Sequence, residues 1–550
     1  MNKRNPEPVE SITPAKKPKP LYNKSHDGTK NYIIYKDENS VIEYTPGWKL
    51  EKNFDDHTTV VYFKFDLRTL DNPALFNGCK YAKENTNGRL IGLYVLCVKE
   101  LKVHEYADCK ILLIHDTLIN MQRDLKYKYD IPLVIIIEPE PTMVPYAVRE
   151  FCTQVKCKAL FHNQMYEHDE AKRDSIMENL CKANYIQCTS FEDQCVVPVQ
   201  TLKTGKGNDF GVFTPYKKAW LAAIEANSPK YLKIFDLKDL NYRNQSDLNI
   251  EVTNEISLEE SVKPLDRAAF EYGKWSKTES EIIAMADHFI KFKGDNYKKS
   301  RDFPGIAGTS QLSPYLAIGS ISAKYLIVKA KEANNKKLSS GSEGIMTYIN
   351  ELCWRDFYRN ILVAFPHVSK NRPFKRDTEK LEWNESQENF DRWCNGKTGF
   401  PIVDAAMNQM NTTGWMHNRL RMITAMFLTK DLLINWRMGE SYFMSKLIDG
   451  DLAANNGGWQ WSASTGTDSQ PYFRIFNPLL QSQKFDADGA FIRKWIPELA
   501  NIKDKKIIHE PSKHLSAKEF EKLSYPKPIC DHAASRVKAI AAFKKLSMRA

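Results

Sequence analysis

Leu133-Val134-Ile135-Ile136-Ile137-Glu138 is an unbroken aliphatic run closed by a charge. It falls far short of the ~20 apolar residues that cross a bilayer, and it reads as a short strand. Residues 60–65, 90–97 and 159–162 read the same way. They alternate with helical stretches such as 109–129, whose apolar residues recur at three and four. That β-α-β rhythm predicts a doubly wound parallel sheet, an α/β domain over residues 57–190.

Before this domain, residues 1–56 are polar and read as a disordered or targeting extension. Lys16-Lys17-Pro18-Lys19-Pro20 is either a nuclear address or a solvated tail, while Glu7 and Glu10 interrupt what a mitochondrial presequence would keep free of acids. After it, residues 191–270 are rich in Asn, Asp, Lys and Ser and read as an inter-domain linker, apart from an aromatic patch at 213–220. From 271 to 550 helical spacing prevails, which predicts an all-α second domain. The whole chain has 550 residues, 42% hydrophobic and 27% charged, as expected of a multidomain globular protein. Its formal net charge of +11 suits a polyanionic partner, and equally plain solubility. The 11 cysteines are odd in number and include no Cys-x-x-Cys pair, which argues for reduced thiols and against a thiolate metal site. No metal is expected.

The commonest nucleotide signatures are missing: Gly205-Lys206-Gly207 lacks a third glycine, and Gly396-Lys397-Thr398 has Asp391 where a phosphate loop begins with glycine. His104-Glu105 and His509-Glu510 have no second histidine at helix spacing, and there is no Gly-x-Ser-x-Gly elbow.

The chemistry is concentrated in the second half. Trp354, Trp383, Trp393, Trp415, Trp436, Trp459, Trp461 and Trp495 are eight of the 11 tryptophans. An aromatic core competes there with base or flavin stacking and with electron hopping. Glu351, Trp354, Arg355 and Tyr358 share one helix face, which suits the wall of a polar cavity for a flat heteroaromatic ligand. Asn418, Arg419, Arg421 and Met422 follow Trp415 on a second helix, with Arg421 a candidate partner of Asp449 or Asp451. The stretch from Asp449 to Trp461 is turn-rich and polar and reads as a ligand-holding loop. Gly308-Thr309-Ser310-Gln311-Leu312-Ser313-Pro314 is either a helix cap or a cradle for phosphate oxygens.

Together these blocks resemble the photolyase/cryptochrome flavoproteins, and within them the class I cyclobutane pyrimidine dimer photolyases of bacteria and fungi. The resemblance rests on Trp354-Arg355-Asp356-Phe357-Tyr358-Arg359, on Gly399-Phe400-Pro401-Ile402-Val403-Asp404-Ala405, on Gly414-Trp415-Met416-His417-Asn418-Arg419-Leu420-Arg421-Met422, and on the tryptophan stretch at 449–461. It implies an antenna domain followed by a helical FAD-binding domain, and light-dependent repair of DNA by a lyase. It further implies that Tyr297, Thr309, Ser310, Gln311, Leu312 and Ser313 hold the diphosphate and ribityl side of FAD. Arg355, Arg421, Asp449 and Asp451 would lie at the flavin end, with Glu351 and Asn418 beside them and Asn455 at flavin N5. Trp459, Trp436 and Trp383 match an electron relay. Trp354 and Trp461 match the aromatics that stack on a flipped dimer, Glu351 its hydrogen-bonding acid, and Asn418, Arg419 and Met422 the rest of that pocket. Arg301, Arg419 and Gln481 are candidate DNA contacts.

For the antenna, the positions that match folate-binding members are His104, Asp169, Glu170 and Lys370, which points to 5,10-methenyltetrahydrofolate. Asp169 departs from the family's asparagine, Tyr62, Lys64 and Phe65 depart in the opening strand, and Tyr348 replaces a tryptophan near the flavin. The competing reading is a signalling cryptochrome, which the complete dimer pocket disfavours, and Met422 stands where (6-4) repair enzymes carry histidine. The expected partner is DNA containing pyrimidine dimers, bound by a monomer with no membrane association. The expected location is the nucleus, with the mitochondrion as a second destination.

Overall fold

The computed structural model describes Ile33 and residues 44–51, 54–244, 248, 250, 252–265 and 272–547. The basic stretch at Lys16 lies outside these.

Among the described residues there are seven strands: β1 (Trp48–Leu50), β2 (Thr58–Phe63), β3 (Leu90–Leu96), β4 (Leu133–Ile137), β5 (Cys157–Asn163), β6 (Gln187–Phe191) and β7 (Val252–Asn254). Five of them form a parallel sheet in the order β4-β3-β2-β5-β6. The chain builds outward from β2 on one side and then returns to add β5 and β6 on the other, so strand order reverses at the β2/β5 pair. The helices that cross over include α1 (Pro73–Asn85), α2 (Asp108–Tyr129), α3 (Val144–Gln154) and α4 (His168–Ala183). Every residue of β2, β3 and β4 is buried, as a sheet covered on both faces requires. The sequence missed β6, where Gln187 is exposed, Cys188, Thr189 and Ser190 are only partly covered at the sheet edge, and none carries an aliphatic signal.

Two stretches fold more than their composition suggests. Within the N-terminal extension, β1 pairs antiparallel with β7, and Tyr44 donates to Glu138 at 2.7 Å. Residues 191–270 carry α5 (Phe213–Ala226), whose Trp220 is fully buried and donates its indole N–H to Asp356 at 2.9 Å. Asp356 also accepts the Val196 N–H at 2.8 Å and the Val197 N–H at 3.2 Å. A polar composition is therefore compatible with order here, because one buried carboxylate organises the backbone around it.

The second domain is helical. The elements that shape its site are α6 (Glu343–Ala364), α7 (Pro401–Thr413), α8 (Asn418–Met426), α9 (Trp436–Lys446), α10 (Leu452–Ala463), α11 (Pro478–Phe485) and α12 (His532–Ser547). The segment following β2 joins the two domains. Arg68 donates to the Gly319 carbonyl at 3.1 Å, Glu279 accepts from the Thr69 and Leu70 N–H groups at 3.0 and 2.8 Å, and Ser322 donates to Asp71 at 2.6 Å. All eleven cysteines are free. Among the described residues no helix is long and apolar enough to cross a membrane.

Candidate functional site

The stretch read as a ligand-holding loop is a helix. Asp451 is its N-cap and accepts the Ala454 N–H at 2.9 Å, and α10 then runs without a break to Ala463. Asn455, Asn456, Gly457 and Gly458 are poor helix formers, but packing overrides propensity. A Cβ on Gly457 would lie 2.3 Å from the Tyr358 ring, so this position must be glycine for α10 to lie against α6.

Around the start of α10 the charges pair in a definite order. Arg421 donates to Asp449 at 2.7 Å and to the Met416 carbonyl at 2.8 Å. Asp451 pairs with Arg359 rather than Arg421. Burial alone would raise the Asp451 carboxyl, but Arg359 and Arg355 beside it hold it down at about 2. Arg355, read as a flavin contact, donates to the carbonyls of Gln194 and, at 3.4 Å, Leu316. Burial and neighbouring Arg359 push its guanidinium below the ordinary arginine value. Across the domain boundary, Lys110 on α2 is 1% exposed and donates to the Gly450 carbonyl at 2.6 Å. Burial lowers its ammonium to about 8, with Asp451 opposing the shift. Sequence reasoning missed Lys110 and Arg359. Arg359 closes a block already singled out, whereas nothing in the periodicity of α2 distinguishes Lys110 from a surface lysine.

These residues fit a dinucleotide cofactor. Asp449 Oδ1 is buried and accepts no hydrogen bond, Ala454 near the start of α10 is exposed, and Gly458 has open space where a side chain would project. Asn455 commits its amide nitrogen to the Glu440 carbonyl at 2.9 Å. Opposite, Tyr297 is buried with its ring edge-on to Tyr348 at 5.5 Å, so Tyr348 supports the position despite replacing a tryptophan. In the run at 309–313, Ser310 lies within hydrogen-bonding reach of the Tyr348 phenol, Gln311 adopts a left-handed φ of 53°, Leu312 is buried, and Ser313 accepts the Trp415 indole N–H at 3.3 Å. Tyr348 thus links Tyr297 and Ser310, while Ser313 is held by Trp415.

The residues read as the dimer pocket lie on α6, α8 and α10. Glu351 is ion-paired with Arg301, and Arg419 donates to Asp302 at 2.9 Å while its Nη1 lies 3.7 Å from the Met422 sulfur. Asn418 opens α8 and is exposed, capped by His417, whose imidazole burial pulls down to about 4. Phe213 covers one face of Trp354 at a centroid distance of 3.5 Å and 9° between planes, and the Tyr358 ring lies 5.5 Å from Trp354 at 30°. Trp461 is half-buried on α10, and Gln481 is half-buried on α11.

Trp459 and Trp436 are 2% and 1% exposed within one apolar cluster, and half-buried Trp383 packs at its edge. Two of the three are thus buried and the third is half-buried. Trp393, given no role from sequence, lies edge-on to Trp459 at 6.0 Å.

The antenna residues also converge. His104 Nε2 is 3.6 Å from Glu170, and burial raises the Glu170 carboxyl to about 7. The His168 N–H donates to Ser369 at 3.1 Å, which brings Lys370 to the start of α4. Asp169 accepts the Ile33 N–H at 3.0 Å, so the carboxylate that departs from the family pattern is satisfied by the chain's own N-terminal segment. A small cleft at the ends of β2 and β3 is lined by Tyr62, Lys64, Tyr94, Glu100, His104 and Arg173.

A parallel-sheet domain joined to a helical domain, with acids and guanidiniums paired around the start of α10 and indoles nearby on α6 and α10, fits a two-domain flavoprotein class. Residues 348–545 match the family described as the FAD binding domain of DNA photolyase, and residues 59–233 match DNA photolyase. The deoxyribodipyrimidine photo-lyase of Escherichia coli is 39% identical over 487 residues, 88% of this chain and 98% of the relative. The mitochondrial deoxyribodipyrimidine photo-lyase of Saccharomyces cerevisiae is 31% identical, covering 90% and 88% respectively. The solved structure of a class III photolyase from Agrobacterium tumefaciens superposes with a TM-score of 0.78 at 28% identity, over 90% of this chain and 99% of that one. The chain belongs to the DNA photolyase family. Its activity is that of a photo-lyase in light-dependent DNA repair, and its helical domain is an FAD-binding domain.

Proposed function

We propose that the chain splits cyclobutane pyrimidine dimers flipped out of DNA into the pocket above α10. The observation that carries this reading is the linked grouping of Glu351, Arg301, Asp302 and Arg419, together with the Arg421–Asp449 pair and Asn455 near the start of α10. When bound, FAD supplies the electron that light excitation makes available to the dimer. Tyr297, Thr309, Ser310, Gln311, Leu312 and Ser313 would hold its diphosphate side, Arg355, Arg421, Asp449 and Asp451 its flavin end, and Asn455 would offer its amide to the ring.

The chain's own residues do the recognition. Trp354 and Trp461 present ring faces to the extruded bases, and a damaged pair is already poorly stacked, so extrusion costs less there than at intact DNA. Glu351 accepts hydrogen bonds from the dimer's imide N–H groups. Asn418 and Met422 complete the wall, and the closely packed aromatics exclude water from it. Arg301, Arg419 and Gln481 contact the strand. Trp459, Trp436 and Trp383 carry an electron inward from the surface, the buried members shielded from solvent by their cluster.

The antenna is 5,10-methenyltetrahydrofolate, held by His104, Asp169, Glu170 and Lys370. The convergence of these four at the domain boundary supports that reading. A monomer suits a single DNA-facing pocket. The basic stretch at Lys16 and the mitochondrial name of the yeast relative support delivery to nucleus and mitochondrion, which a fluorescent fusion of the full chain tests. The decisive experiment is reversal of a thymine-dimer oligonucleotide by purified protein in blue light and in darkness. Repair in light alone is expected, with a flavin spectrum and an additional near-ultraviolet band from the folate. A flavin-loaded, chemically reduced protein that repairs nothing would overturn the reading.

A further inference from the structure

The pocket mouth is electrically self-satisfied. Arg301 is paired with Glu351, and Arg419 with Asp302, so two guanidiniums face two carboxylates. The Arg301 and Glu351 side chains are 19% and 33% exposed, which leaves both open to an incoming strand. Also beside Arg301 are the Tyr297 ring, 5.4 Å from its guanidinium, and Asp302, 3.9 Å from its Nε.

We propose that the Arg301–Glu351 pair is a specificity latch that opens only when a dimer replaces Arg301 as the partner of Glu351. This rests on the reading that Glu351 meets the dimer and Arg301 the strand. A DNA phosphate attracts Arg301, but taking it strips Glu351 of its counter-charge in a half-buried place. Undamaged DNA keeps its bases stacked and brings no donor to Glu351, so the pair resists it. A flipped dimer brings imide N–H groups that satisfy the carboxylate, and Arg301 is then released to the backbone. Discrimination follows from a charge left unpaired by the wrong ligand. Arg301 is a positioning residue in this scheme, because it acts on the substrate through Glu351.

The test is a double-mutant cycle with the FAD-loaded protein in darkness, using fluorescence anisotropy on single-stranded oligonucleotides with and without one thymine dimer. Removing the carboxylate with Glu351→Gln frees Arg301. Affinity for the undamaged strand is expected to rise about fivefold, in line with a partly exposed ion pair. The slope of log affinity against log salt should steepen by about 0.7, one more single-strand phosphate contact. In an Arg301→Gln background the same substitution should change neither quantity. Arg301→Lys, which keeps the charge but loses the fork, should restore the salt response in part.

Equal effects of Glu351→Gln on undamaged DNA with and without Arg301 would overturn the latch, since they would reduce Glu351 to simple repulsion of phosphate. If Glu351→Gln instead leaves dimer affinity and repair yield unchanged, the role of Glu351 at the dimer is itself wrong. Flavin content and melting temperature of each variant separate either result from misfolding.

Discussion

Replacing Asp451 by asparagine should destabilise the protein by stranding the buried guanidinium of Arg359. Arg359 is 3% exposed and Asp451 is 13% exposed, and they pair directly. Asparagine keeps the N-cap of α10, so the substitution isolates the charge. Two magnitudes apply. A carboxyl held at about 2 instead of its ordinary 3.8 stabilises the folded state by about 2 kcal/mol near neutrality. Stranding a buried guanidinium costs more, about 3–5 kcal/mol when one partner of such a pair is removed. Asp451→Asn should therefore lower unfolding free energy by about 3 kcal/mol, and Asp451→Ala by roughly 1 kcal/mol more through loss of the cap. Urea unfolding followed by tryptophan fluorescence measures both. The pH dependence adds a second check. Because the folded-state value lies below the ordinary one, the unfolded chain takes up the proton first on acidification. The stabilisation is complete above about pH 4 and is lost as pH falls towards about 2. The stability gap between wild type and Asp451→Asn should thus narrow by about 2 kcal/mol across that window. An asparagine variant within about 1 kcal/mol of wild type at neutral pH, with a constant gap on acidification, would refute the pairing argument.

Three further outcomes are expected. Trp459→Phe should abolish light-driven reduction of the oxidised flavin and spare repair by enzyme reduced chemically beforehand; transient absorption and a repair assay separate the two. Trp354→Ala should weaken binding to a dimer oligonucleotide by about tenfold or more, since stacking on an aromatic contributes ~1–3 kcal/mol per base, and equal affinities would remove Trp354 from the pocket. Gly457→Ala should lower stability by about 1–3 kcal/mol and reduce flavin retention, because its Cβ would fall 2.3 Å from the Tyr358 ring; calorimetry and the flavin-to-protein absorbance ratio report it.

Much of the architecture follows from local pattern. The runs at 60–65, 90–97 and 133–138 are strands because a sheet covered on both faces demands continuous apolar residues, and all lie in one parallel sheet. β6 escaped because this strand is exposed or only partly covered and its polar residues give no such signal. The stretch at 449–461 was legible as a site but not as a helix. Its glycines and asparagines disfavour helix locally, and only the Asp451 cap and the contact of Gly457 with Tyr358 reverse that preference.

The sequence by itself determined the composition of the site: which acids, guanidiniums and indoles are present, and the helix spacing that sets Glu351, Trp354, Arg355 and Tyr358 on adjoining turns. Which charge meets which was decided by tertiary structure alone. Asp449 and Asp451 are two residues apart and chemically identical, yet one pairs with Arg421 and the other with Arg359. Lys110 reaches Gly450 from 340 positions away. Coulomb attraction depends on separation in space, and spacing along a chain constrains that separation only within a single helix or strand.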